Sequence, residues 1–224
     1  MDWVALGLSV RLATATMVLL VAIGIPIAYW IAFSRWRWKF LVEAIVALPI
    51  VLPPTVLGFY ILVVIGPASP VGRAYATAFG HGLPFSFEGL LIASVLYSLP
   101  FAVQPFSAGF AAVDRRFIEA SWCLGASRGA TFLRVVLPLS VPGLITGMVL
   151  SFAHTLGEFG VVLMVGGNLT GITRTVSISI YDAVQALDYA AAWHTSLLLL
   201  GVSFAILAVT YSLQRSVWAV WPIR

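Results

Sequence analysis

Five long hydrophobic runs divide this chain, and the polar positions between them are few. The runs are 12–33, 41–65, 89–113, 139–167 and 190–213, and each holds at most one Asp, Glu, Lys or Arg. At 1.5 Å per residue, each is long enough to cross a hydrocarbon core about 30 Å thick. No water is available there to satisfy the backbone, so each run is expected to be helical. The pattern predicts an all-α integral membrane protein with five transmembrane helices. The first run follows Asp2 rather than a basic segment, and it exceeds the roughly 7–15 residues of a signal-peptide hydrophobic region. It reads as a retained span.

The largest polar interruption is an island over 114–138, DRRFIEASWCLGASRGATFLRVVLP. Flanked by long apolar runs, it must emerge into water. Asp114 is placed to cap a helix running to about Cys123, and Gly125 to end it in a left-handed conformation. Ser127 is placed to cap a second helix, which Pro138 is expected to stop. A helix–Gly–helix element of this kind suits docking to another protein. The opposite loops, about 66–88 and 168–189, are rich in Gly, Pro, Ser and Thr, and long enough for short surface helices.

Basic residues orient the spans. Of the twelve Lys and Arg, nine fall on the island's side: Arg35, Arg37, Lys39, Arg115, Arg116, Arg128, Arg134, Arg215 and Arg224. Arg11, Arg73 and Arg174 fall on the other. The rule that cytoplasmic loops are basic places the island and the C-terminus in the cytoplasm and the N-terminus outside. Trp36, Trp38, Trp218 and Trp221 lie near the cytoplasmic ends, where interfacial anchors belong.

Composition agrees with a lipid solvent: 61% of residues are hydrophobic and 9% charged, against about 25% charged in soluble domains. The net charge of +4 is scattered over short loops, which excludes a nucleic-acid face. One cysteine, Cys123, leaves no disulfide framework and no Cys-based metal site. The single lysine, Lys39, follows Arg37-Trp38, so the chain has no phosphate-binding loop ending in Gly-Lys-Ser/Thr. His81, His154 and His194 are dispersed and form no metal-ligand set, and no Gly-x-Ser-x-Gly nucleophile elbow is present. Asn168-Leu169-Thr170 matches a glycosylation sequon by chance. The reading is of a non-catalytic chain with no metal and no cofactor of its own.

Within the spans a few residues depart from plain hydrophobicity. Pro49, Pro53 and Pro54 remove three backbone donors from the second run, so that helix must kink or unwind. Such a break either lines a pathway or gate or is a structural kink. Glu158, between Gly157 and Phe159-Gly160, is the only acid deep in the fourth run, a costly placement that makes it a functional candidate. His154, four residues earlier, would share its helical face and a hydrogen bond. A gate or dimer contact, a proton relay and a satisfied structural residue all remain open for Glu158. Glu43 is expected to snorkel to the cytoplasmic surface. Gly143 and Gly147 form a GxxxG pattern suited to close helix contact. No span carries a Lys or Arg at its centre, so a transported anion would be selected mostly elsewhere.

The island resembles the cytoplasmic EAA loop of ABC importer permeases. Glu119-Ala120-Ser121, Gly125, Val135 and Leu137-Pro138 fall at that loop's spacing, with Ser121 for Ala and Val135 for Ile. Leu48-Pro49-Ile50-Val51-Leu52-Pro53-Pro54-Thr55-Val56-Leu57-Gly58 resembles the second-span signature of the molybdate-type permeases. So do Leu156-Gly157-Glu158-Phe159-Gly160 and Asn168–Thr175. The resemblance implies a single type I transmembrane domain in a bacterial inner membrane, with Glu119, Ala120, Ser121, Gly125, Leu137 and Pro138 coupling to an ATPase. It implies a homodimer, two ATP-binding cassette subunits that use ATP and Mg, and an external solute-binding protein that delivers molybdate. Tungstate or sulfate permeases are close alternatives. A secondary transporter or channel would leave the island unexplained, and a membrane-embedded enzyme would need a catalytic constellation that is absent.

Overall fold

The computed structural model describes the backbone of residues 2–220 and side chains through residue 212. The side chains of Arg215 and Trp218, and all of Trp221 and Arg224, lie outside the described residues. Helix α1 (Trp3–Phe33) is capped by Asp2, whose carboxylate accepts from the Ala5 amide at 2.9 Å. It is followed by α2 (Lys39–Val51), α3 (Pro54–Ile65), a short outer helix α4 (Pro70–Phe79) and the long α5 (Phe87–Ala111). The island comes next, then α9 (Val141–Gly157), α10 (Gly160–Gly166), an outer helix α11 (Val176–Gln185) and α12 (Tyr189–Val220). Among the described residues there is no strand.

Helices α1, α5 and α9 form the centre. α1 and α5 run parallel. Near their N-termini the Arg11 guanidinium lies 4.3 Å from the centroid of the Phe87 ring, and near their C-termini Tyr29 meets Phe110 at 5.8 Å. α9 runs antiparallel to α5, joined at the island end by Gly143 on Gly109 and further along by Ser98 to Thr155 at 2.9 Å. This α5–α9 crossing confirms close contact at the GxxxG pair. A Cβ on Gly143 would lie 2.7 Å from Gly109 Cα and 2.8 Å from Pro105 O. A Cβ on Gly147 would lie 2.7 Å from Ala102 O. Small residues let the two backbones approach to this distance.

Three helices, α1, α5 and α12, are each long and apolar enough to cross a membrane, and two bent helix pairs, α2 with α3 and the segment 128–139 with α9, would bring the number of crossings to five if each pair is one span. α2 and α3 meet at 114° where Leu52 and Pro53 adopt extended backbone. The pair still travels from one end of the bundle to the other. Lys39 Nζ donates to Ile31 O at the end of α1, whereas Ile65 packs with Leu83 just before α5 begins. Pro49 does not cause the break, since it sits buried inside α2.

The fourth run is not one helix. α9 stops at Gly157, Glu158 is extended (φ −65°, ψ 136°), and α10 restarts at Gly160. The expected pairing of His154 with Glu158 is therefore absent, because an extended C-cap residue leaves the helical face. His154 Nδ1 instead lies 2.9 Å from Ser98 Oγ, and its ring stacks on Phe101 at 3.9 Å.

Candidate functional site

Three regions carry the residues singled out in the sequence, and the island is the first. α6 (Arg115–Cys123) starts at Asp114, whose carboxylate accepts from the Arg116 amide at 2.9 Å. Gly125 takes φ +80°, a left-handed value that lets the chain reverse, and the Ala126 amide then donates to Ser121 O at 3.1 Å. Ser127 caps α7 (Arg128–Thr131) by accepting from the Ala130 amide at 3.2 Å. These local capping signals, all legible in the sequence, build the two-helix element.

Pro138 does not stop the second helix. α7 continues through a π turn over Phe132–Val136 into α8 (Leu137–Leu139), and the rod ends only at Ser140. In the π turn the Leu137 amide donates to Phe132 O rather than to the usual carbonyl four residues back. Proline lacks an N–H and its ring crowds the carbonyl four residues before it, and the wider π turn relieves that crowding. The chain then bends by 69° into α9.

Glu119 and Ala120 are exposed on α6, as are Gly125 and Pro138, while Ile118 is buried and anchors the helix to the bundle. Ser121 faces inward, its hydroxyl 2.9 Å from Thr131 Oγ1, so it ties the two island helices together. Leu137 packs against the cluster containing Phe106, Phe110 and Val136. Phe117, Trp122 and Leu124 are exposed apolar residues on the same element, Leu124 at 88%. An exposed carboxylate beside exposed aromatic and aliphatic side chains has the chemistry of a protein-docking surface.

The second region is the meeting of the two broken crossings. Pro54, the first residue of α3, abuts Gly160, the first residue of α10, where a Cβ would lie 2.7 Å from Pro54 Cβ. One turn on, a Cβ on Gly58 would lie 2.7 Å from Met164 Cβ. Pro53 is exposed and Gly157 has open space beside it. Glu158 is 4% exposed, and neither carboxylate oxygen has a hydrogen-bond partner. Ser94, on α5, is the neighbouring hydroxyl, fully buried and without a well-formed hydrogen bond. Sequence reasoning missed Ser94 and Ser98. Their signal was two serine hydroxyls four residues apart, hence on one helical face, inside a largely apolar run.

The third region is the outer end. Arg174 Nη2 pairs with Asp182 Oδ2 at 2.7 Å, its Nε lies 3.8 Å from Asp2, and Asn168 Nδ2 donates to Asp182 at 2.6 Å. The Val176 amide donates to Ser9 Oγ at 2.8 Å. These bonds hold α11 against the start of α1. Asp2, Arg174, Asp182 and Asp188 also line an open groove of about 680 Å³. Glu43, by contrast, lies half-exposed 3.8 Å from Lys39 near the island end. Among the described residues no group of three or more His, Cys, Asp or Glu is placed to hold a metal ion.

Residues 24–218 match the family described as binding-protein-dependent transport system inner membrane component. The molybdenum transport system permease protein ModB of Azotobacter vinelandii is 50% identical, covering 96% of this chain and 95% of its own. ModB of Escherichia coli K12 is 33% identical over 82% of this chain and 80% of its own. Among solved structures, the chain resembles a bacterial alginate ABC transporter in complex with a pentasaccharide-bound periplasmic protein. The TM-score is 0.76 at 16% identity, covering 96% of this chain and 78% of that one. It also resembles the MetNI methionine ABC transporter in inward-facing conformations, with a TM-score of 0.70 at 16% identity, covering 95% and 94%. The structural likenesses establish the type I importer permease fold. Together with the family match over most of the chain, they account for three long apolar helices and two bent helix pairs around a helix–Gly–helix island: this chain belongs to the family of binding-protein-dependent transport system inner membrane components.

Proposed function

We propose that this chain is the membrane-spanning permease subunit of an ABC importer for molybdate. The observation that carries the reading is 50% identity along nearly the whole chain to a molybdenum permease. The single domain 1–224 assembles as a homodimer in the inner membrane, with the translocation path between the two copies. Two ATP-binding cassette subunits, which use ATP and Mg, dock on the island through Glu119, Ala120, Ser121, Gly125, Leu137 and Pro138. An external solute-binding protein docks on the loops carrying α4 and α11. Pro49, Pro53, Pro54, Gly157, Glu158, Phe159 and Gly160 serve the gate. The contact of Pro54 with Gly160 supports this, since it makes the two breaks a single joint. This subunit performs no bond chemistry; ATP hydrolysis in the partner moves the spans. Radiolabelled molybdate uptake in cells lacking their own permease tests the reading. Uptake of sulfate or tungstate in preference to molybdate would reassign the solute.

Orientation gives a second test. Asp2, Ser69 and Thr170 lie at one end of the bundle, and Ser127 lies at the other. With Cys123 replaced by Ser, single cysteines at Ser69 and Thr170 react with an impermeant maleimide added outside intact cells, and one at Ser127 does not. Labelling at 127 would invert the N-terminus-out assignment.

Selectivity gives a third. Among the described residues no Lys or Arg lies at the centre of a candidate span, and Arg11, in the first third of α1, sits against Phe87. The isolated dimer therefore shows no stoichiometric molybdate binding by calorimetry, while the binding protein binds tightly. A micromolar site on this chain alone would overturn the assignment of selection to the binding protein.

A further inference from the structure

Phe159 occupies the joint between α9 and α10, with backbone that is not helical (φ −129°, ψ −60°). Its ring packs 5.0 Å from Tyr181 of the outer helix α11. Phe159 also packs against the cluster of Leu12, Leu90, Val162 and Ile178, the last on α11 itself. It thus packs against the outer helix at the break between α9 and α10, where Glu158 and Phe159 leave the helical conformation. Gly160 follows at once, and its contact with Pro54 joins this break to the one in the second crossing.

α11 is well placed to act as a unit. The Asp182 carboxylate collects Arg174 and Asn168, and the first amide of the helix is tied to Ser9. Tyr181 stands next to Asp182 on this helix, 42% exposed, with its hydroxyl accepting from Gln185 Nε2 at 2.6 Å. One part of the side chain therefore reaches the outer surface while its ring bears on the joint. An aromatic contact suits this task because a Tyr ring presents a large, rigid contact surface with only two side-chain torsions, and a ring pair adds attraction beyond its buried area.

We propose that Tyr181 and Phe159 are positioning residues that convert engagement of the outer loops by the solute-binding protein into movement of the paired breaks. This rests on the importer reading above. The ring contact carries the displacement, and the Tyr181 hydroxyl is dispensable.

The test uses the complete transporter, two copies of this chain with two ATPases, in proteoliposomes titrated with molybdate-loaded binding protein. Tyr181→Ala lowers the maximal stimulated ATP turnover by roughly three- to tenfold, the range an aromatic pair is worth. It leaves the half-saturating concentration of binding protein and the unstimulated turnover unchanged. Tyr181→Phe, which keeps the ring, behaves as the unsubstituted protein, and Phe159→Leu reproduces the loss. Full stimulation of Tyr181→Ala would overturn the proposal. So would a change confined to the half-saturating concentration, which would make Tyr181 a docking residue only. A parallel loss of unstimulated turnover would mark a structural role and overturn it too. If the unsubstituted transporter itself is not stimulated, the importer reading fails and this proposal fails with it.

Discussion

Glu119→Lys and Gly125→Val each leave the chain inserted in the membrane at near-normal levels but abolish both ATPase retention on purification and uptake. The two act by different routes on the same surface. Glu119 is exposed on α6, away from the packed core, so reversing its charge leaves the fold intact. Like-charge juxtaposition across an interface costs several kcal/mol, on the order of 100-fold or more in affinity. Gly125 stands at φ +80° with nothing within 4 Å of where a Cβ would sit. The penalty there is purely conformational: about 1–2 kcal/mol for an L-residue in left-handed backbone, and more for a β-branched one. Valine relieves that strain by turning α6 away from α7, which breaks the Ser121–Thr131 contact and misdirects the docking surface. Gly125→Ala, with the smaller side chain, is milder. Arg73→Ala, on the outer helix α4, leaves ATPase retention unchanged and serves as control. Copurification of the ATPase with normal uptake in both island variants would remove the island's coupling role.

Gly143→Leu and Gly147→Leu have the other large effect, and theirs is on the fold. A Cβ at 143 meets backbone atoms of α5, Gly109 Cα at 2.7 Å and Pro105 O at 2.8 Å, which cannot rotate aside. At 147 it meets Ala102 O at 2.7 Å and the ring of Phe106 at 2.5 Å. Overpacking in a well-filled core costs about 1–3 kcal/mol, and prying apart two helix backbones lies at or above the upper end. Phe106 is also fully buried and packs with Gly24 of α1, so separating α5 from α9 disturbs all three central helices. Both variants are expected to fall to a small fraction of normal monodisperse yield in detergent. Gly7→Leu, on α1 with nothing within 4 Å, keeps full yield. Normal yield of both α9 variants would show that the α5–α9 contact is not tight in the folded protein.

The island was legible in the sequence because capping is local chemistry. Asp114, Ser127 and Gly125 each act on amides within a few residues, and the structure uses all three in that way. The break at Pro53 was legible for the same reason, since a missing donor is written in the residue itself. The break at Glu158 was not. No proline marks it, and α9 stops at Gly157 in a setting where α5 and the Pro54 contact shape the backbone, partners distant in sequence. His154 was read with Glu158 from helical spacing, but Ser98 of α5 takes it. The π turn was hidden too, because only the continuation of the rod past Pro138 reveals it.

That π turn makes the island's bearing a matter of counting. Each α-helical residue advances the chain by about 100° around the axis, and a π turn absorbs one extra residue without ending the helix. The azimuth at which the two short helices point is therefore indexed to the number of residues between Thr131 and Ser140 more than to their identities. Substitutions within 132–136 change packing but keep the bearing, whereas losing or gaining one residue swings the whole docking surface about the rod. Within the π turn itself, the number of residues sets where the docking surface points, and the side chains set only how the rod packs.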